Sequence, residues 1–193
     1  MINFEAARRF ERGQREKFAI SAIFDEGFEN YYFIGRFTFF IESKQFGDWE
    51  AFSDLAAGAR WARTYLKKRE QRDSLDVAGL EPLYLIWRLY GRDFSPGAPR
   101  GDQSLIQAPD GYGTKPYISG NEFSLITIGE SSTRDSAVVL AIPQPDGTDR
   151  ILGYEHDTEE IGDATVDSEE VIQIISDFVQ WVEGLGKLEG QRK

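Results

Sequence analysis

The run from Tyr31 to Ile41 (YYFIGRFTFFI) constrains this chain more than any other stretch. Phe33, Phe37 and Phe39 alternate with Ile34, Arg36 and Thr38, the period of two that marks a strand with one face in a core. Just before it, Lys17 to Phe24 (KFAISAIF) places Phe18, Ile20 and Ala22 on alternate positions, and Asp25-Glu26-Gly27 separates the two runs. Together they predict a β-hairpin turning at Asp25-Glu26-Gly27. Gly35 breaks the aromatic run where a bulge or a close approach of another backbone is expected. A two-stranded hairpin is not stable alone in water, so helices or further strands must cover its aromatic face.

The chain supplies both. After the polar turn Ser43 to Trp49, Ser53 is the expected N-cap of a helix with Leu55, Ala59, Ala62 and Leu66 on one stripe and Lys67-Lys68-Arg69 in its last turn. Cations there complement the helix dipole, which accounts for them without a phosphate site. Pro82 and Gly91 bracket a second helix, with Leu83, Ile86, Trp87 and Tyr90 on its stripe. From Arg92 to Glu122 no period is sustained, and short strands are expected at Leu105 to Gln107 and Lys115 to Ile118.

The last third predicts a three-stranded meander of Phe123 to Ile128, Ala137 to Ile142 and Arg150 to Tyr154, with Pro143 to Gly147 as one turn. An acidic loop follows. Asp167 then caps a helix with Glu170 in the capping-box position and Val171, Ile175, Phe178 and Val182 buried, and Gly184 and Gly186 are read as its stop. The expected fold class is α+β: a mostly antiparallel sheet, built from the N-terminal hairpin and the C-terminal meander, with about three helices on one face. The expected organisation is a loose arm over 1–16, one domain over 17–185 and a polar tail over 186–193.

Charge and composition narrow the function. Thirty-three acidic against 22 basic side chains give a formal charge of −11, which repels phosphate backbones and anionic lipid. No nucleic-acid or membrane partner is expected. A basic protein partner suits the excess instead, and complementary fields speed such association at low salt. Cysteine is absent, which excludes disulfides, thiolate nucleophiles and Cys-ligated zinc. With no signal-peptide core after Met1 and no apolar run of membrane length, the expected compartment is the cytoplasm.

The motifs that come near to catalysis miss on spacing. Gly129-Glu130-Ser131-Ser132-Thr133 approaches the nucleophile elbow, with the single His156 downstream of Asp135 and Asp149. Yet Thr133 stands where Gly is needed, and a strand follows where the elbow requires a helix. Around His156 the loop Glu155 to Asp163 gathers five carboxylates, but an EF-hand register from Asp157 puts Ile161 at a ligand position and Ser168 where a bidentate Glu belongs. Gly184-Leu185-Gly186-Lys187 lacks both the first Gly and the final Ser or Thr of a phosphate loop. Neighbouring carboxylates such as Asp48 and Glu50 do not define a glycosidase, whose mechanism depends on their spatial separation. No catalytic residue, cofactor or metal ligand is therefore assigned; the Ser131 and His156 neighbourhood is the alternative, as a small hydrolase or cation-dependent enzyme.

The pattern FAISAIFDEG, then YYFIGRFTFFIESKQFGDW, then a helix opening on Ser53-Asp54-Leu55, resembles the Immunity protein 42 family of bacterial polymorphic-toxin systems. Gly35-Arg36-Phe37 and Gly47-Asp48 match its G-R-F-like strand and Gly-Asp turn. Ser136 to Val182 is similar in layout, with Asp149 to Tyr154 leading through an acidic loop to a closing helix. Asp76 to Gly120 carries no part of the likeness. A fainter similarity, through Gly153-Tyr154-Glu155-His156-Asp157 ahead of that helix, is to the SMI1/KNR4 superfamily, which also contains immunity proteins. The resemblance implies a cytosolic protein that binds and blocks a cognate toxin, and it implies no catalytic residues. Gly35, Gly47, Asp48 and Trp49 are fold determinants on this reading.

Carboxylate density then selects the expected contact surface: Glu155, Asp157, Glu159, Glu160 and Asp163 in the acidic loop, extended by Asp25, Glu26 and Glu29 at the first hairpin turn. Acidic side chains beside Tyr31 or Tyr154 would pair with toxin Arg or Lys while the aromatic ring supplies apolar burial.

Overall fold

In the computed structural model of the protein, the structure describes residues 8–28, 32–70, 74–90, 123–125 and 137–190. The elements run β1 (Arg9–Gln14), β2 (Phe18–Phe28), β3 (Tyr32–Ile41), β4 (Lys44–Phe46), β5 (Ser53–Asp54), α1 (Leu55–Arg69), α2 (Pro82–Tyr90), β6 (Ala137–Pro143), β7 (Thr148–Glu155), β8 (Ile161–Asp167) and α3 (Ser168–Gly190). This is the expected α+β class with antiparallel pairing throughout.

The aromatic hairpin forms in the register its alternation demands. Phe18, Ile20 and Ala22 face Ile41, Phe39 and Phe37 across the strands, and all six are fully buried. Burying each aromatic or branched side chain contributes roughly 1.5–3 kcal/mol, so this face anchors the fold. Gly35 permits a close approach rather than a bulge: a Cβ there would lie 2.1 Å from the Ile23 carbonyl oxygen and 2.6 Å from Leu55. The bulge sits on the opposite strand, where the register slips between Phe24 and Glu26. Asp25, Glu26 and Gly27 consequently belong to β2, which continues to Phe28, rather than to the turn expected there.

Two expectations change at the chain's margins. The arm 1–16 contributes β1, which pairs with β2 and buries Phe10 against Phe178 and Trp181 of α3. Gly184 and Gly186 do not stop α3, which continues to Gly190; a helix packed along one side tolerates glycines that would end an isolated one. Asp167 caps α3 as expected, its carboxylate accepting from the Glu169 and Glu170 amides at 2.9 and 3.1 Å. For α1 the cap is Asp54, which accepts from Ala56, while Ser53 pairs with Gly35 in β5.

The strands divide between two sheets, β1-β2-β3-β4 with β5 on β3, and β6-β7-β8. The meander gains β8, drawn from the acidic loop and its sequel; of the strand expected at Phe123 to Ile128 only Phe123 to Leu125 lie among the described residues, and they pair with β6, the Leu125 amide donating to the Val139 carbonyl and the Ala141 amide to the Phe123 carbonyl. The β6-β7-β8 sheet is covered on both faces. Its inner face bears small residues (Ala137, Ala141, Gly153, Gly162, Ala164) and packs in one cluster with the aromatic sheet, α1 and α3. Its outer face bears Val138, Leu140, Ile142, Leu152 and Tyr154 and packs under Leu85 and Ile86 of α2. The helices thus lie on two sides, because a strand like β6, apolar at nearly every position, requires cover on both faces.

Phe46 joins the two sheets. A Cβ on Gly153 or Gly162, which face each other in register, would come within 2.8 Å of its ring. The short segments expected at Leu105 to Gln107 and Lys115 to Ile118 lie outside the described residues.

Candidate functional site

Strands β7 and β8 are joined by a tight acidic turn from His156 to Glu160. Asp157, Thr158, Glu159 and Glu160 are exposed. Glu159 adopts a positive φ of 56°, an unusual conformation for a side-chain-bearing residue. The turn closes on itself through the Glu155 amide, which donates to the Glu160 carbonyl at 3.0 Å. Three carboxylates are therefore held at one end of the small sheet by a fixed backbone.

The flanking carboxylates are used internally. Glu155 Oε2 accepts from the Gly47 amide at 3.0 Å and ties β7 to the Gly47-Asp48 turn. Burial pushes its carboxyl above the ordinary range, with the Gly47 hydrogen bond opposing and Asp157 reinforcing the shift. Asp163 is on β8 and takes both guanidinium arms of Arg150 at 2.9 and 2.7 Å, while the third nitrogen of Arg150 donates to the Val77 carbonyl. Asp25 holds Arg36 in the same two-armed way, at 3.1 and 3.0 Å, and Arg36 lies over the Trp49 ring. Of the eight acidic residues singled out by charge density, Asp157, Glu159 and Glu160 share the turn; Glu155, Asp163 and Asp25 are committed to internal partners. The Glu26 side chain and Glu29 lie outside the described residues.

His156 is half-buried and packs edge-on against Tyr154, with ring centroids 5.8 Å apart. Burial lowers its pKa, with Asp157 opposing. Tyr154 is raised by burial and by Glu159. Ser131, its proposed nucleophilic partner, lies outside the described residues. Among the described residues no three His, Asp or Glu side chains gather as a metal site would require.

Two residues beside the turn carry a role that charge counting missed. Lys44 Nζ donates to the Ile161 carbonyl at 2.7 Å, and Glu42 accepts from the Asp163 amide at 3.2 Å. These side chains cap two backbone groups on the outer edge of β8, which makes that stretch of the edge a poorer template for strand addition. Glu42 lies in the β3–β4 turn, where it and Ser43 have positive φ, and Lys44 opens β4 directly after it. No local signal in the sequence pairs that turn with a strand more than a hundred residues later.

The sequence model of the Immunity protein 42 family matches residues 1–181, nearly the whole chain. The chain belongs to the Immunity protein 42 family. The match spans both sheets, α1, α2 and most of α3, and so includes Asp76 to Gly120, which carried no part of the resemblance. No curated protein and no solved structure matches the chain. Membership makes this an immunity-type protein, a class defined by neutralising a toxin. Among the described residues no helix is long and apolar enough to cross a membrane.

Proposed function

We propose that this chain acts in the cytoplasm by binding a cognate, basic toxin stoichiometrically, and that the exposed turn Asp157 to Glu160 is part of the contact surface. The observation that carries the proposal is the family match over residues 1–181. The turn supports the choice of surface: its carboxylates are exposed, the Glu155 amide closes it on the Glu160 carbonyl, and the strands that flank it are braced through Glu155, Lys44 and Glu42. Such a turn changes without disturbing the core and presents charge at little cost in ordering entropy on binding.

Toxin Arg or Lys would meet Asp157, Glu159 and Glu160 in charge-assisted hydrogen bonds, and the fixed turn would set their spacing. Glu155, Asp163 and Asp25 are left out because each already satisfies an internal donor. The test replaces Asp157, Glu159 and Glu160 together with Lys and measures toxin affinity and thermal unfolding side by side. Affinity should fall by several kcal/mol, roughly the range measured for close interfacial charge pairs, with unfolding unchanged. Unchanged affinity would take the turn out of the interface.

A further inference from the structure

Helix α1 carries Arg60, Arg63, Lys67, Lys68 and Arg69 and no carboxylate, in a chain whose formal charge is −11. Two of these five cations are neutralised from within. Arg69 meets the buried Asp149, Arg63 meets Glu183 on α3, and elsewhere Arg12, Arg15, Arg36 and Arg150 each face a carboxylate. Arg60, Lys67 and Lys68 are exposed and have no carboxylate partner among the described residues. At 3.6 residues per turn, Arg60, Thr64 and Lys67 share one line along the helix, and Trp61 and Lys68 form the line beside it. Trp61 is 48% exposed.

Ordinary causes cover part of this. The helix dipole accounts for cations in the last turn, hence for Lys67 and Lys68, but not for Arg60 in the second turn. Outward polarity accounts for the charges, but not for an indole placed among them. A large aromatic ring bordered by unpaired cations is the composition of an interface anchor, since Trp and Arg dominate binding hot spots.

We propose that this face of α1 is a second contact surface, which rests on the toxin-binding reading above and fits an acidic segment of the partner protein. Trp61 anchors the segment, and Arg60, Lys67 and Lys68 pair with its carboxylates. A protein segment fits better than nucleic acid. A dense phosphate array is repelled by the net charge of the whole chain, and three cations release few counterions in compensation. A short acidic segment carries few charges, and its apolar residues would cover the indole.

The placement gives the surface a use. α1 ends at Arg69, held by Asp149 near the start of β7, whereas the acidic turn follows Glu155 at the other end of that strand. At about 3.3 Å per residue the two ends of β7 lie roughly 23 Å apart. A partner with basic and acidic regions in matching places is held in one orientation, and a uniformly basic partner is repelled at α1.

The test uses the full chain and, as the candidate toxin, the product of the neighbouring gene, with calorimetric affinities for the wild type, Trp61→Ala, and the triple variants Arg60→Glu/Lys67→Glu/Lys68→Glu and Arg60→Gln/Lys67→Gln/Lys68→Gln. A short DNA duplex serves as a second probe, and sedimentation reports self-association. The Glu set should weaken toxin binding by about tenfold or more, the Gln set by less, with unfolding temperatures unchanged. Toxin binding by the Glu set equal to wild type would remove α1 from the interface and leave the toxin-binding reading standing. No toxin binding by the wild type would overturn that reading and this inference with it. Duplex binding lost in the Glu set would make the face a nucleic-acid site, and self-association lost in the Glu set would make it a contact between copies of this chain; either outcome overturns the assignment to an acidic toxin segment.

Discussion

Arg69 and Asp149 form a two-armed ion pair that fastens the end of α1 to the start of β7, with the Asp149 side chain wholly out of contact with water. The hydroxyl of Ser168, the first residue of α3, donates to the same carboxylate. One buried acid thus sets where two helices meet the small sheet. Burial opposes the charge on Arg69, but its bonds to Asp149 and the nearby Tyr65 outweigh that and raise its pKa further. Such a pair stabilises little relative to well-packed apolar residues, but breaking it strands a charge.

Arg69→Met should therefore cost about 3–5 kcal/mol in urea unfolding, a large share of the stability of a domain this size. Adding Asp149→Asn should recover part of that loss. Equal stability of Arg69→Met and wild type would show that Asp149 is solvated after all.

The same pair marks what is legible in the sequence. The β2–β3 hairpin, the Asp167 cap and the apolar stripe of α3 are written in local periods. Strand β1 is not, because Arg9 to Gln14 buries Phe10 alone and shows no alternation. Strand β8 is hidden because its buried residues are Gly162, Ala164 and Val166, small side chains that suit the close approach of Phe46 and leave the carboxylates conspicuous. Charge density selects Asp157, Glu159 and Glu160, which are exposed, and equally Glu155, Asp163 and Asp25, whose partners Gly47, Arg150 and Arg36 are set by tertiary structure. The division of Lys67, Lys68 and Arg69 into two exposed cations and one buried ion pair has the same origin.

Glu155 and His156 give stability opposite dependences on pH. Glu155 is raised from 4.5 by burial, so the folded chain holds its proton more tightly and stability falls as pH rises through that window. His156 is lowered from 6.5 by burial, so stability rises as pH climbs towards 6.5. The two contributions are opposite in sign. Glu155→Gln should steepen the rise of unfolding free energy with pH, and His156→Asn should flatten or reverse it. Parallel curves for Glu155→Gln and wild type would mean that the carboxyl titrates alike folded and unfolded.

Two glycines should respond in opposite directions to alanine. Gly184 lies within α3, and a methyl group added there would meet no other atom within 4 Å, so Gly184→Ala should stabilise by roughly 0.4–1 kcal/mol. Gly153→Ala drives a methyl into the Phe46 ring and should cost about 1–3 kcal/mol, with Phe46→Leu recovering part of it. Thermal unfolding of the three variants decides both. A destabilised Gly184→Ala would indicate that the chain does not continue as helix there.

The most direct test of toxin neutralisation by binding is a titration of the purified chain into the candidate toxin, the product of the neighbouring gene, with heat and toxin activity recorded on the same samples. A saturating heat signal is expected, with activity falling in proportion and vanishing at one chain per toxin. Full inactivation by a small fraction of an equivalent would show catalysis, and no heat with undiminished activity would show that the two proteins are not partners.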